Sequence, residues 1–167
     1  MDEKVFKSKF AEMLTGDRAA FTDIYNEMKT PVFTVILRLV QNRAEAEDLM
    51  QELFLRLLRH GKDDNIKNPR AYIFMTARNI AIDSLRKYSA EELPEDMPDD
   101  RSNEIDSCRK LDIESALAKL STAERETVVL HLNAGFKFKE IAKIQNIPLG
   151  TALFRYNSAV KKLRELL

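Results

Sequence analysis

The chain has 167 residues, 44% of them hydrophobic and 32% charged, with 27 basic and 27 acidic side chains, so it should fold as one ordinary domain or two small ones. No run approaches the roughly 20 apolar residues of a membrane helix, and MDEKVFKSKF lacks the apolar core of a signal peptide, so no membrane insertion is expected. One cysteine (Cys108) and two distant histidines (His60, His131) exclude a disulfide framework and a metal-ligand cluster, while 4 Gly and 5 Pro are too few for the turns of an all-β chain.

Residues 4–14 read as a short amphipathic helix with Val5, Phe6, Phe10, Met13 and Leu14 on one side. Thr15-Gly16-Asp17 breaks it, and Asp17 can cap the next helix, whose apolar stripe is Phe21, Ile24, Tyr25 and Met28. Pro31 is expected to start or kink a further segment over residues 32–40. That segment is apolar nearly all round, as the buried centre of a bundle would be. Asn42 with Glu45 resembles a capping box and opens a helix over residues 43–60, which Gly61 ends. Its core side carries Ala46, Leu49, Met50, Leu53, Phe54 and Leu57. Asp48, Gln51, Glu52 and Leu55 lie toward the other side, as a docking face for a basic helical partner or as a solvated charged surface.

Residues 61–67, GKDDNIK, form a short polar loop in which Asp64 and Asn65 are candidate recognition residues. Asn68 and Pro69 then signal a helix start. Along residues 68–87, Ile73, Phe74, Ala77, Ile80, Ala81 and Leu85 share one side. Tyr72, Asn79 and Arg86 line up on the opposite side, seven residues apart, with Thr76 and Asp83 beside them and Met75 and Ile82 on the other flank. A ring that can stack on an unpaired base, an amide and a guanidinium in register suit single-stranded DNA. The same pattern also fits a helix buried on two sides, with Tyr72 and Ile82 packing a neighbour.

Residues 89–107 are acidic, contain two prolines and little apolar content, and read as a flexible linker between two domains. A helix over residues 110–119 follows, with Leu111, Ile113, Leu117 and Leu120 apolar. Ser121 to Glu124 forms a capping box for a helix that ends near Leu132, and Asn133-Ala134-Gly135 turns the chain. A short helix over 139–145, a break at Asn146-Ile147-Pro148 and a longer basic helix over 149–166 make a helix-turn-helix pattern. On the last helix Ala152, Tyr156, Ala159, Leu163 and Leu166 form the inner stripe. Phe154, Asn157, Ser158 and Lys161 face outward, with Thr151 and Arg155 at one margin, and this outer face is the candidate duplex-reading surface. The net charge is zero, but the centre is acidic and the C-terminal end basic. No Gly-rich phosphate loop, nucleophile motif or cofactor-binding constellation is present, so no enzyme, cofactor or metal is expected.

Taken together the segments resemble the extracytoplasmic-function (ECF) sigma factors, a group within the bacterial primary sigma factor superfamily. GDRAAFTDIYNEM is similar to the start of the family's region 2.1, AEAEDLMQELFLRL to region 2.2, NPRAYIFMTARNIAIDSLRK to regions 2.3 and 2.4, and residues 120–165 to region 4. Two departures stand out: Tyr72 occupies a position where the family usually carries Trp, and Leu153-Phe154 replace a Lys-Ser pair of the recognition helix. The resemblance implies an all-α fold of two small helical domains, residues 1–88 and 110–167, joined by an acidic linker over 89–109. It implies a cytoplasmic RNA polymerase specificity subunit with three contact sets. Asp48, Gln51, Glu52 and Leu55 would bind the clamp helices of the largest polymerase subunit. Asp64, Asn65, Tyr72, Thr76, Asn79 and Arg86 would bind the −10 element. Thr151, Phe154, Arg155, Asn157, Ser158 and Lys161 would bind the −35 element. The implied partners are RNA polymerase core, including its upstream-facing elements, promoter DNA and an anti-sigma factor. Two other readings stay open: a sigma mimic that binds an anti-sigma factor, and a stand-alone helix-turn-helix regulator.

Overall fold

The structure is a computed structural model that describes the backbone of residues 1–90 and 108–167 and the side chains of 1–87 and 112–167. The expected linker falls almost wholly outside those residues. Among the described residues the fold is all-α, with eight helices in chain order: α1 (Glu3–Leu14), α2 (Arg18–Val40), α3 (Arg43–His60), α4 (Pro69–Ala90), α5 (Cys108–Ala118), α6 (Thr122–Leu132), α7 (Phe138–Gln145) and α8 (Leu149–Leu166).

Local chemistry explains where the helices start. The side chains of Asp17, Asn42 and Ser121 each accept a hydrogen bond from the backbone N–H three residues on, capping α2, α3 and α6. Asn68 does the same for Ala71 at 3.1 Å, ahead of Pro69. Gly61 takes a positive φ of 71° where α3 stops, a conformation that a side chain would strain.

Of the two expectations for Pro31, a new helix start does not occur: one helix runs from Arg18 to Val40 with Pro31 inside it. Proline removes one N–H donor, at a cost of about 3 kcal/mol. Burial of Ile24, Met28, Val32, Val35, Ile36 and Leu39 on both sides of it outweighs that.

Helix α2 is the hub of the fold and packs α1, α3, α4 and α6. Phe6, Phe10 and Met13 of α1, Leu53 and Leu57 of α3, and Ile73, Ala77 and Ala81 of α4 close over it. Val5, expected on the stripe of α1, is exposed instead. Arg70 pins the start of α4 to the first two helices. Its guanidinium binds Glu3 at 3.1 Å and Glu27 at 3.0 Å, and lies over the Phe6 ring at 4.2 Å.

The C-terminal helices form a second group around Leu117, Leu120, Val128 and Ala159. Ile113 and Leu166, expected on inner stripes, are exposed. The two groups are not separate bodies. Val129 and Leu130 of α6, Phe136 and Ile141 belong to the same buried cluster as α2 and α4. Phe74 meets Phe136 edge-on at 6.3 Å. Arg38 of α2 binds Glu114 at 3.2 Å and Asn133 at 2.9 Å, and Arg125 donates to the Leu39 carbonyl.

Candidate nucleic-acid and partner interfaces

Three surfaces carry the candidate residues. The first is on α3. Asp48, Gln51 and Leu55 are exposed and Glu52 is half-exposed, and their spacing places them on one helix face. Glu52 shares its charge with Arg56 at 2.8 Å, whereas Asp48 has no ion pair among the described residues. Gln51 and Leu55 also form the rim of an apolar groove of about 280 Å³ whose other walls are Phe21, Tyr25, Met50, Phe54 and Leu58. Its floor is aromatic: Tyr25 meets Phe54 at 5.0 Å and stacks on Phe21 at 6.0 Å. Sequence reasoning assigned Phe21, Tyr25 and Phe54 to the core and so missed the groove. The signal was there in Phe21 and Tyr25 at i,i+4 facing Leu55 and Leu58, which α3 leaves in water.

The second surface joins the loop before α4 to the face of α4. Asp64 and Asn65 are both exposed. Asp63, which sequence reasoning passed over, organises the loop by accepting from His60 at 2.8 Å and from the Asn65 N–H at 2.9 Å. The His60 hydrogen bond first, and then the Asn65 amide, hold the Asp63 carboxyl below the usual carboxylate range. Behind the loop a cleft of about 120 Å³ is lined by Lys7, Phe10, Ala11, Leu14, Lys62, Asp63, Asp64, Ile66 and Pro69. That is near the volume of a cavity that accepts one six-membered ring, about 150 Å³.

On α4 the outward line is only partly outward. Asn79 and Arg86 are exposed, and Arg86 lies 4.0 Å from Asp83. Tyr72 is half-buried between Phe10 (6.4 Å, edge-on) and His60 (5.9 Å). Thr76 returns its hydroxyl to the Tyr72 carbonyl at 2.8 Å, and Ile82 is buried. The helix is thus covered on two sides, and its free strip is narrow.

The third surface is the helix-turn-helix of α7 and α8. Asn146 takes the left-handed conformation (φ 53°), and the Ile147 N–H closes back on the Ala142 carbonyl at 2.9 Å, which sets the tight turn. Ala152 and Ala159 are fully buried against the domain, so the opposite side of α8 faces out. Phe154 is 73% exposed, Asn157 and Lys161 are exposed, and Thr151 is half-buried. Arg155 is held at the margin by Gln145 at 3.4 Å, which in turn bonds Thr127. Ser158 departs from the expected outward position. It is half-buried, and Lys162, one turn further on, donates to Glu124 at 2.8 Å. Burial raises the Glu124 pKa, but the bonds from Lys162 and Ser121 outweigh it, and the carboxyl sits below its ordinary value.

Among the described residues no group of side chains could hold a metal ion, and no helix is long and apolar enough to cross a membrane. Residues 10–91 match the family described as Sigma-70 region 2, and residues 110–163 match Sigma-70, region 4. The RNA polymerase sigma factor CarQ of Myxococcus xanthus is 31% identical, covering 91% of each chain. The ECF RNA polymerase sigma factor SigL of Mycobacterium tuberculosis is 31% identical, covering 89% of each. In fold the chain is similar to the sigma factor RpoE of Bartonella quintana, solved with the anti-sigma factor NepR. That likeness has a TM-score of 0.66 at 24% identity and covers 86% of this chain and 96% of that one. The chain belongs to the ECF sigma factors, regulatory subunits of bacterial transcription initiation that recognise promoter DNA with RNA polymerase and are not themselves enzymes.

Proposed function

We propose that the chain works in the cytoplasm, docks RNA polymerase core through α3, holds the −35 element through α8 and opens the −10 element with α4 and the loop before it. Residues 1–88 and 110–167 act as the two working domains, with 89–109 as the tether. Asp48, Gln51, Glu52 and Leu55 meet the clamp helices of the largest subunit. The aromatic groove beside them adds an apolar seat for a side chain of the same partner. Phe154, Asn157 and Lys161 contact the −35 duplex, with Thr151, Arg155 and the half-buried Ser158 at the edge. Asp64 lines the cleft that takes a flipped base, and Asn65 stands next to it in the loop. Tyr72, Thr76, Asn79 and Arg86 follow the unpaired strand. Unstacking costs about 1.4 kcal/mol per step, and trapped bases return about 1–3 kcal/mol each. An anti-sigma factor is the expected regulator.

The observation that carries this reading is that one chain joins a cleft between α1 and the loop before α4 to a helix-turn-helix with an outward face. Run-off transcription with core polymerase on a pool of random upstream sequences tests it: discrete transcripts that need the added chain support it, and silence on every template rejects it. The exposed Phe154 and Leu153 favour one second reading, a sigma mimic that binds an anti-sigma factor through this apolar face. The same experiment separates the two, since a mimic gives no transcript.

A further inference from the structure

Arg78 has no part in the surfaces above, yet it stands one residue from Asn79 and donates to the Asn79 side-chain oxygen at 3.2 Å. Its Nε donates to Glu126 of α6 at 2.6 Å. Both side chains are largely shut from water, 15% exposed for Arg78 and 7% for Glu126. The pair lies at the seam where α6 meets the α2–α4 core, beside Phe74 and Phe136. A buried ion pair of this kind contributes little net stability, because desolvation offsets much of the attraction. It matters more for what it does to the cation: a guanidinium next to the strand-facing line of α4 is neutralised by an acid from the other half of the molecule.

That seam cannot persist on a promoter. The −35 and −10 elements lie about 25 base pairs apart, or about 85 Å at 3.4 Å per step. A compact chain of this length has a radius of gyration of about 15 Å, and so is roughly 40 Å across. For α8 and α4 to reach both elements, α6 must leave α4, and Glu126 must leave Arg78.

We infer that Arg78 is a further single-strand-binding residue, and that Glu126 occupies it in place of a DNA phosphate while the chain is closed. The inference rests on the function proposed above. Glu126 is the internal competitor, aligned by the α6 packing. Separation of the halves exposes Arg78 beside Asn79 and Arg86, where it meets a backbone phosphate of the opened strand. The closed chain therefore binds single strands poorly, and the spacing imposed by polymerase switches the site on.

The test compares two variants that break the same ion pair and leave opposite charges behind. Binding of a fluorescent 20-residue thymidine oligonucleotide to the full-length chain alone is measured over a range of salt. Glu126→Gln should raise affinity about ten-fold and steepen the plot of log affinity against log salt by about 0.7, the increment for one added phosphate contact on a single strand. Arg78→Gln breaks the pair equally but should give neither change. The charge-swapped chain, Arg78→Glu with Glu126→Arg, keeps the pair and checks that the seam tolerates substitution; it should bind like the parent. Equal behaviour of Glu126→Gln and Arg78→Gln would reduce the pair to a packing element and overturn the inference. Run-off transcription by the parent chain with core polymerase separates the two failures. Transcripts together with equal variants leave the sigma reading standing and the inference lost, whereas no transcript at all removes both.

Discussion

At the residue scale, Tyr72 and Glu124 show side chains with two duties. Tyr72 packs Phe10 and His60 on one edge, and in the proposed function it borders the opened strand with the other. Tyr72→Ala should lower folding stability by about 2 kcal/mol, from lost ring burial and the edge contact. Tyr72→Phe keeps the ring and should cost little. Permanganate reactivity of promoter thymines with holoenzyme, at a temperature where both variants are folded, reads the second duty. Tyr72→Phe should open DNA like the parent, and Tyr72→Ala should not. Equal reactivity would leave Tyr72 a packing residue only. Glu124 links Lys162 of α8 to the start of α6. Its folded pKa lies below the ordinary glutamate value, so the unfolded chain binds more protons as acid is added. The stability it contributes is complete above that value and is lost as pH falls through the folded pKa. Thermal melts from about pH 5 to about pH 3 should fall less steeply for Glu124→Gln than for the parent. Parallel curves would mean that the link adds nothing to the fold. The sequence showed Glu124 only as a capping-box residue. Its α8 partner Lys162 stands 38 positions away, and nothing in local spacing selects it.

At the scale of elements, every helix predicted from periodicity and caps is present, because those signals are local. Asp17, Asn42 and Ser121 cap as their spacing implies, and the inner faces of α3 and α4 are buried nearly as read. That Pro31 lies inside a helix instead of starting one has a clear physical origin. Local propensity penalises an interior proline, while the compensation comes from α1, α3, α4 and α6 closing around α2, which no window of α2 reveals. If the penalty is still being paid, Pro31→Ala should restore the N–H that reaches the Glu27 carbonyl and stabilise the chain by about 1–3 kcal/mol. For a chain this long that is a rise in melting temperature of about 3–8 °C, with unchanged helical circular dichroism. A fall would show that a bend at Pro31 shapes the core more than the missing bond weakens it. The candidate sites were legible in the same uneven way. The helix-turn-helix and the loop follow from order and turn chemistry, while the aromatic groove and the cleft behind the loop need α1, α2 and α3 in place.

At the scale of the whole molecule, the seam between the halves is the feature that the sequence hid most. An acidic stretch between two helical groups suggests independent domains, yet α6 is buried without interruption from Arg125 to Leu130. A helix covered on every side needs neighbours on two faces, and its own group supplies only one: Val128 faces Leu117, Leu120 and Ala159, while Val129 and Leu130 face the core of α2 and α4. The run Thr127-Val128-Val129-Leu130 was the available hint. If the shared core is what holds the closed chain, the halves should lose protection together. Phe136 is the natural probe, because it lies outside the regular helices and meets Phe74 across the seam. Phe136→Ala should cost about 3 kcal/mol, as truncation of a buried ring does. Native-state hydrogen exchange should then quicken in residues 32–40 of α2 and 73–81 of α4 as well as in α6 and α7. Two separately stable domains would confine the change to residues 122–145 and leave α2 and α4 at parental rates. That outcome would also mean that the seam costs polymerase almost nothing to open, whereas coupled exchange would make its opening a substantial part of the free energy of promoter engagement.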